Sequence, residues 1–305
     1  MRTILFVKTS SLGDVVHNCP AVSDAARALP GAAIDWVVEE PFAGIAAMHG
    51  AVRRVIPVAV RRWRGAFWKP AVWSEIGAWR RELRAEHYDA VVDTQSLLKS
   101  ALISKAAAGP RHGLDRASAR EWLAPLFYDF RHAVPRELHA VERNRRLAAL
   151  ALSFSPREPI DYGLRVPTAQ KSGYVVLLTM TSRSDKLWPE ERWIELGRGL
   201  RTPAILPWGS EAERARAERI SAAIGGTLPP RRNLDELARL FVSARGVIGL
   251  DTGLTHLAAA LGVPTVGIYC GSDPTLTGLY GAPHARNLGT PGRPPEADEV
   301  LQLLA

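Results

Sequence analysis

The segment Lys8-Thr-Ser-Ser-Leu-Gly-Asp14 gathers a lysine, three hydroxyls, a glycine and a carboxylate directly behind the β-branched run Thr3 to Val7. If that run is a strand, the segment is the turn that opens the next helix. The glycine serves an unusual backbone angle, and Asp14 either caps the helix start or points outward as a base. A second such junction is Gly249-Leu-Asp-Thr-Gly-Leu-Thr-His256. There the first helical N–H groups, at Thr252 and Gly253, would face a phosphate, Asp251 would accept from sugar hydroxyls, and His256 lies one turn beyond Thr252. A plain capped helix is the alternative reading.

Three further features carry possible chemistry. Thr181-Ser-Arg-Ser-Asp-Lys186 is a polar loop after a strand ending at Thr179, where Lys186 either neutralises a diphosphate or is simply solvated. Glu213 follows Trp208-Gly209, where a carboxylate suits a ribose diol. Arg61-Arg-Trp-Arg64 precedes Trp68, Lys69, Trp73, Trp79, Arg80 and Arg81, so that four of the nine tryptophans fall between residues 63 and 79. Arginine interleaved with tryptophan suits lipid headgroups or stacking on single-stranded nucleic acid, or the rings are core.

Several chemistries lack their signatures. Neither G-x-G-x-x-G nor the P-loop pattern occurs, which counts against dinucleotide and P-loop binding, and no G-x-S-x-G supports a serine nucleophile. There is no Asp-x-Asp and no H-E-x-x-H, and the eight histidines show no ligand spacing, so no metal is expected. A departing diphosphate would then rest on Lys186 and a helix N-terminus.

The positioning elements follow from periodicity. Strand-like runs at Thr3 to Val7, Ile34 to Val38 and Asp89 to Asp93 enclose helical spacing from Asp14 to Leu29. The rhythm restarts after Pro167. Strands are expected at Tyr174 to Thr179, Ala204 to Leu206, Val247 to Leu250 and Thr265 to Tyr269. Helices are expected at Pro189 to Leu200, Glu211 to Ile224, Leu234 to Ala244 and Thr252 to Leu261. Residues 153 to 172 have no clear period and read as a linker, with the boundary near 166. Two α/β units of this kind would each bind ligands beyond the carboxyl ends of their strands and together form one cleft.

A chain of 305 residues, 47% hydrophobic and 23% charged, has ample material for packed cores and none of the bias of disorder or coiled coil. Two cysteines 251 positions apart form no disulfide framework and suit a reducing cytosol. The short run Ile4 to Val7 is far from a signal-peptide core, and no stretch reads as a membrane span. Net charge is +8. Residues 1–165 hold 24 Lys and Arg against 17 Asp and Glu, whereas residues 166–305 hold 15 against 14. A basic first half points to an anionic partner.

Seven collinear strings carry a resemblance. They are Lys8 to Asp14, Trp36-Val-Val-Glu-Glu40, Arg61-Arg-Trp-Arg64, His139-Ala-Val-Glu-Arg143, Asp185-Lys-Leu-Trp-Pro-Glu-Glu191, Leu206-Pro-Trp-Gly209 and Asp251 to His256. From the first strand to the helix after Asp251 the chain resembles the lipopolysaccharide heptosyltransferases, the heptosyltransferase I branch above all. The resemblance implies an α/β GT-B fold: two Rossmann-like doubly wound domains facing a central cleft, residues 1–165 for the acceptor and 166–305 for the nucleotide sugar. It implies inverting, metal-independent transfer of L-glycero-D-manno-heptose from ADP-heptose, a substrate and no cofactor, to the inner Kdo of Kdo2-lipid A. The expected setting is cytoplasmic, peripheral on the inner leaflet of the inner membrane, with no nucleic-acid partner.

By motif match Asp14 is the general base. Thr181, Ser182, Lys186, Glu213, Asp251, Thr252, Gly253 and His256 line the donor site. Ser10, Ser11, Arg61, Arg62, Arg64, Lys99, Arg120 and Arg143 meet the acceptor. The sequence departs from the pattern at Ser182, where a second Thr is usual, and at Arg231-Arg232, where an apolar residue is expected near adenine. Heptosyltransferase II, which acts on an acceptor already carrying a heptose, is the nearest alternative, and a nicotinamide oxidoreductase the more distant one.

Overall fold

The computed structural model describes residues 2–167 and 172–303, so residues 168–171 of the expected linker lie outside the described residues. The chain divides into two compact units, Met1–Leu164 and Arg165–Ala305.

In the first unit β1 (Thr3–Val7), β2 (Ala33–Glu39), β3 (Val52–Val58), β4 (Ala90–Asp93), β5 (Arg111–Leu114) and β6 (Phe130–His132) form one sheet. The order is β3-β2-β1-β4-β5-β6 with every pairing parallel. Parallel strands need crossover helices on both faces, so the central ones are buried throughout and read as continuous apolar runs. All residues of β1, β2 and β4 are buried. The helical period from Asp14 to Leu29 resolves into two helices, Leu12–Val16 and Cys19–Ala28. Pro20, in the first turn of the second helix, has no N–H to donate and so cannot continue the first.

The second unit holds β7 (Val175–Leu178), β8 (Ala204–Ile205), β9 (Gly246–Leu250), β10 (Thr265–Ile268) and β11 (Ala285–Leu288), ordered β11-β10-β9-β7-β8. These pairings are parallel as well. Its core sets Trp188 edge-on to Trp193 at 5.0 Å, both fully buried. The first order is that of dinucleotide-binding folds and the second is flavodoxin-like. In each, the strand order reverses once, between β1 and β4 and between β7 and β9. At such a point successive crossovers leave in opposite directions and open a crevice at the strands' carboxyl ends.

One buried ion network ties the outer helices of the first unit together. Arg145, on the helix Ala140–Leu152, donates to Asp24 at 2.7 Å and to Glu142 and Glu158 at 2.8 Å each. The Arg145 and Asp24 side chains are each 1% exposed. Deleting the guanidinium leaves the buried Asp24 carboxylate with Arg27 as its remaining cation, and breaking one buried pair of this kind costs up to about 3–5 kcal/mol. Arg145→Ala is therefore expected to lower the unfolding free energy by about that amount, read from the urea midpoint.

Candidate active site

The loop after β1 is held by its neighbours at the order reversal. Gln95, just beyond β4, accepts from the backbone N–H of Thr9 at 2.6 Å and of Ser10 at 3.0 Å, and its amide donates back to the Ser10 carbonyl. Gln95 and Ser96 are in turn seated by their N–H groups on Asp93, whose other oxygen accepts from Tyr128 at 2.7 Å. Burial pushes the Asp93 carboxyl above its usual range. The peptide between Ser10 and Ser11 is cis.

Asp14 stands at the third position of the helix Leu12–Val16, and Ser11 is the N-cap. Its Oδ2 accepts from the Ser11 N–H at 3.0 Å and from the Ser11 hydroxyl at 3.3 Å, while Arg120 donates to its carboxylate at 3.3 and 3.4 Å. Capping and outward presentation thus coexist, because a quarter of the side chain remains exposed. Burial alone would raise the Asp14 pKa, but the charges of Lys8 and Arg120 and the Ser11 amide hold it below the usual aspartate range.

Lys8 is 4% exposed, donating to the Thr94 carbonyl at 2.9 Å and to Asn144 at 3.3 Å. Burial lowers its ammonium to about 8, against the pull of Asp14 and Asp93. Lys99 donates to the Ser10 hydroxyl at 2.6 Å, and its neighbours in charge are Glu39, Arg61, Asp14 and Arg64. Arg143 donates to the Ser118 carbonyl at 2.6 Å, within the field of Arg120, and burial lowers its pKa. The structure therefore gathers Ser10, Ser11, Asp14, Lys99, Arg120 and Arg143, with Arg61 and Arg64 near enough to act on Lys99. Arg62 differs: its guanidinium is engaged by Glu40 at 2.8 Å and Glu75 at 2.5 Å.

In the second unit Asp251 directly follows β9 and is the hub. Lys186 donates to it at 2.6 Å, the Ser272 hydroxyl donates to the same oxygen, and His256 Nε2 lies 3.3 Å from the other. Burial pushes the Asp251 carboxyl up, but the bonds from His256, Lys186 and Ser272 outweigh it and leave the carboxyl well below its usual range. Thr181 donates to the Asp251 carbonyl at 3.2 Å. Thr252 occupies the N-cap position of the helix Gly253–Ala260, with no capping bond from its side chain. A Cβ on Gly249 would lie 2.3 Å from the Thr255 hydroxyl, so glycine is what lets this helix close onto β9.

Beside the hub lies a cavity of about 230 Å³ lined by Thr181, Ser182, Trp208, Glu213, Arg232 and Thr252 among others. Glu213 closes a capping box on the helix Glu211–Ile224, accepting from the N–H groups of Gly209 at 2.6 Å and Ser210 at 3.2 Å. Arg232 reaches the cavity wall where an apolar residue was expected, and its Nε is buried without a partner among the described residues. No group of three or more His, Cys, Asp or Glu among the described residues is placed to hold a metal ion.

Lys8, Gln95, Asp93 and Ser272 also build these sites without being among the expected site residues. Lys8 sits inside the opening motif and was legible as a charge next to a strand, whereas the other three carry no local signal.

A glycosyltransferase family 9 (heptosyltransferase) model matches residues 76–300. Lipopolysaccharide heptosyltransferase 1 of Escherichia coli strain K12 is 46% identical over 290 residues, 91% of each chain. The protein of that name from Pseudomonas aeruginosa is 47% identical over 291 residues, 91% of this chain and 81% of its own. The solved E. coli heptosyltransferase WaaC with ADP superposes with a TM-score of 0.92 at 42% identity, covering 99% of this chain and 98% of that one. The same enzyme with ADP-2-deoxy-2-fluoro heptose gives 0.89 at 41%, with the same coverage. By this combination of matches the chain belongs to glycosyltransferase family 9, the heptosyltransferases, and is a glycosyltransferase of the GT-B architecture.

Proposed function

We propose that the enzyme transfers L-glycero-D-manno-heptose from ADP-heptose to the inner Kdo of Kdo2-lipid A, with inversion and without a metal. The observation that carries the chemistry is an ionised, partly exposed Asp14 set among Lys8, Lys99, Arg120 and Arg143 at a strand-order reversal. The type 1 relatives at 46–47% identity support this acceptor. The relatives' complexes with ADP and with its fluoro-heptose derivative support the donor. Residues 1–165 then serve the acceptor and residues 166–305 the nucleotide sugar, at the cytoplasmic face of a membrane.

An inverting transfer is one displacement at the anomeric carbon: the acceptor hydroxyl attacks, the bond to the ADP oxygen breaks, and Asp14 takes the hydroxyl proton. A carboxylate with a low pKa is adequate, because the hydroxyl becomes acidic only as the new bond forms. ADP leaves without a proton once its charge is balanced. Lys186 retains two donors beyond its bond to Asp251, and with the N–H groups at Thr252 and Gly253 it would receive the diphosphate. The cavity bounded by Thr181, Ser182 and Glu213 would take the nucleoside, with Asp251 and His256 beside the sugar. The carboxylates and phosphates of the acceptor would meet Ser10, Ser11, Arg61, Arg64, Lys99, Arg120 and Arg143. Arg62, already paired twice, holds the segment that carries Arg61 and Arg64.

Asp14→Ala is expected to lower transfer by roughly 10²–10⁴ while leaving ADP binding unchanged, measured by product assay and calorimetry. A loss of only a few-fold would remove Asp14 as base. Lys186→Ala should weaken ADP binding by roughly ten- to a hundredfold, since a charge-assisted hydrogen bond is lost. Transfer in EDTA should equal transfer without it.

Lys8 acts as a positioning residue, its ammonium tying the segment that leads to Asp14 to the Thr94 carbonyl and Asn144. It is charged below about pH 8 and neutral above, facing Asp14, Asp93, Arg120 and Arg143. The neutral amine makes weaker hydrogen bonds to the Thr94 carbonyl and Asn144 than the ammonium does, so transfer is expected to decline as pH rises through that value. In Lys8→Met the rate should already be low at neutral pH and the decline absent, with Lys8→Arg restoring a flat, higher profile. An unchanged decline in Lys8→Met would place the titrating group elsewhere.

A further inference from the structure

The four clustered tryptophans part into two roles. Trp63 and Trp79 are each 9% exposed and meet edge to face at 5.9 Å inside the core. Trp68 and Trp73 are 65% and 62% exposed, and Phe67 beside them is 61% exposed. These three form one ordered patch: Phe67 and Trp68 pack edge to face at 5.5 Å, and the Trp73 indole donates to the Phe67 carbonyl at 2.7 Å. Large rings held out by such bonds are costly to leave in water unless something covers them.

The patch sits in the basic part of the chain. Residues 61 to 84 contain seven Lys and Arg against two Glu. Glu75 is spent on Arg62, which leaves Arg61, Arg64, Lys69, Arg80 and Arg81 without a carboxylate partner among the described residues. In the helix Pro70–Arg84 the face Val72, Trp79 and Leu83 is buried. Trp73, Arg80, Arg81 and Arg84 lie on other faces, at spacings that align Trp73 with Arg80 and Arg84 along the outside. From Trp73 to Arg84 that outer stripe runs about 16 Å, at the helical rise of 1.5 Å per residue. It is long enough to lie along a headgroup layer, rings at one end and guanidiniums along the rest.

We propose that the loop 65–69 and the outer face of the helix Pro70–Arg84 are a docking surface for an acidic phospholipid bilayer. Phe67, Trp68 and Trp73 enter the interface, and Lys69, Arg80 and Arg81 meet lipid phosphates. The unpartnered cations favour this occupant over a second copy of the chain, which would bring an equally cationic patch against it. The inference deepens the proposed function, whose acceptor is lipid-anchored, and it is testable without donor or acceptor.

The test is cosedimentation with vesicles of phosphatidylethanolamine and phosphatidylglycerol, and separately with vesicles of phosphatidylcholine. The chain is expected to bind the acidic vesicles, more weakly as salt rises, and not the neutral ones. Replacing Phe67, Trp68 and Trp73 together by Ser should weaken binding roughly tenfold or more. Lys69→Glu with Arg80→Glu and Arg81→Glu should do the same, which keeps the test decisive should the first variant unfold. Transfer to a deacylated, water-soluble acceptor should be unchanged in both.

No binding to acidic vesicles, or equal binding by both variants, overturns the proposal. So does loss of transfer to the deacylated acceptor in a folded variant, which would assign the patch to the substrate. So does a dimer that falls apart in the Ser variant, which would assign it to a second copy. Absence of transfer by the wild-type chain with vesicle binding intact would instead overturn the proposed reaction and leave the docking surface standing.

Discussion

A parallel sheet offers convergent side chains in few places, because most crossovers run the same way and cover the strand ends they leave. Only where the strand order reverses do neighbouring loops diverge and leave a crevice. Both sheets reverse once, and the chemistry-bearing residues gather there: Lys8 to Asp14 after β1 with Gln95 and Lys99 after β4, and Thr181 to Lys186 after β7 with Asp251 after β9. The rest of each unit holds those strand ends in place. Gln95 is seated on Asp93, and Thr255 reaches back to the Leu250 carbonyl at 2.6 Å.

The two sites solve one electrostatic problem with opposite polarity. Each holds a lysine near an aspartate, and each buries one partner more deeply. In the first unit Lys8 is 4% exposed and the Asp14 side chain 25%. In the second the Lys186 side chain is 17% exposed and that of Asp251 7%. The more open group is the one that the proposed reaction needs to present, a carboxylate to an attacking hydroxyl and an ammonium to a diphosphate. In the first unit the Lys8 charge helps hold Asp14 ionised, and in the second the 2.6 Å bond to Asp251 fixes where Lys186 points, which is the preorganised arrangement that electrostatic catalysis requires.

The surplus charge of residues 1–165 likewise has two destinations. Arg120, Arg143 and Lys99 turn inward to the Asp14 cluster, whereas Lys69, Arg80 and Arg81 remain on the outside beside Phe67, Trp68 and Trp73. Composition cannot separate these, since both are lysines and arginines within one stretch of chain. Burial separates them, as it separates Trp63 and Trp79 from Trp68 and Trp73.

The local elements were legible wherever a period or an apolar run is required by burial. The runs of β1, β2, β4, β7, β9 and β10 and the helices Glu211–Ile224 and Leu234–Ser243 could be read within a residue or so at each end. Strands β3, β5, β6 and β11 could not, because Val-Arg-Arg-Val-Ile-Pro-Val, Arg-His-Gly-Leu, Phe-Arg-His and Ala-Arg-Asn-Leu lie at or next to sheet edges, where continuous apolar sequence is not needed. By itself the sequence determined which residue types stand at the strand ends, together with the seven collinear strings whose family resemblance implies a nucleotide-sugar chemistry. The tertiary structure alone decided which polar and charged groups meet, bringing Lys8 to Asn144 and Asp14 to Arg120 across more than a hundred residues. A hydrogen-bond period is a property of neighbours in the chain, whereas burial and the field at a carboxylate are set by whichever distant segments pack around it.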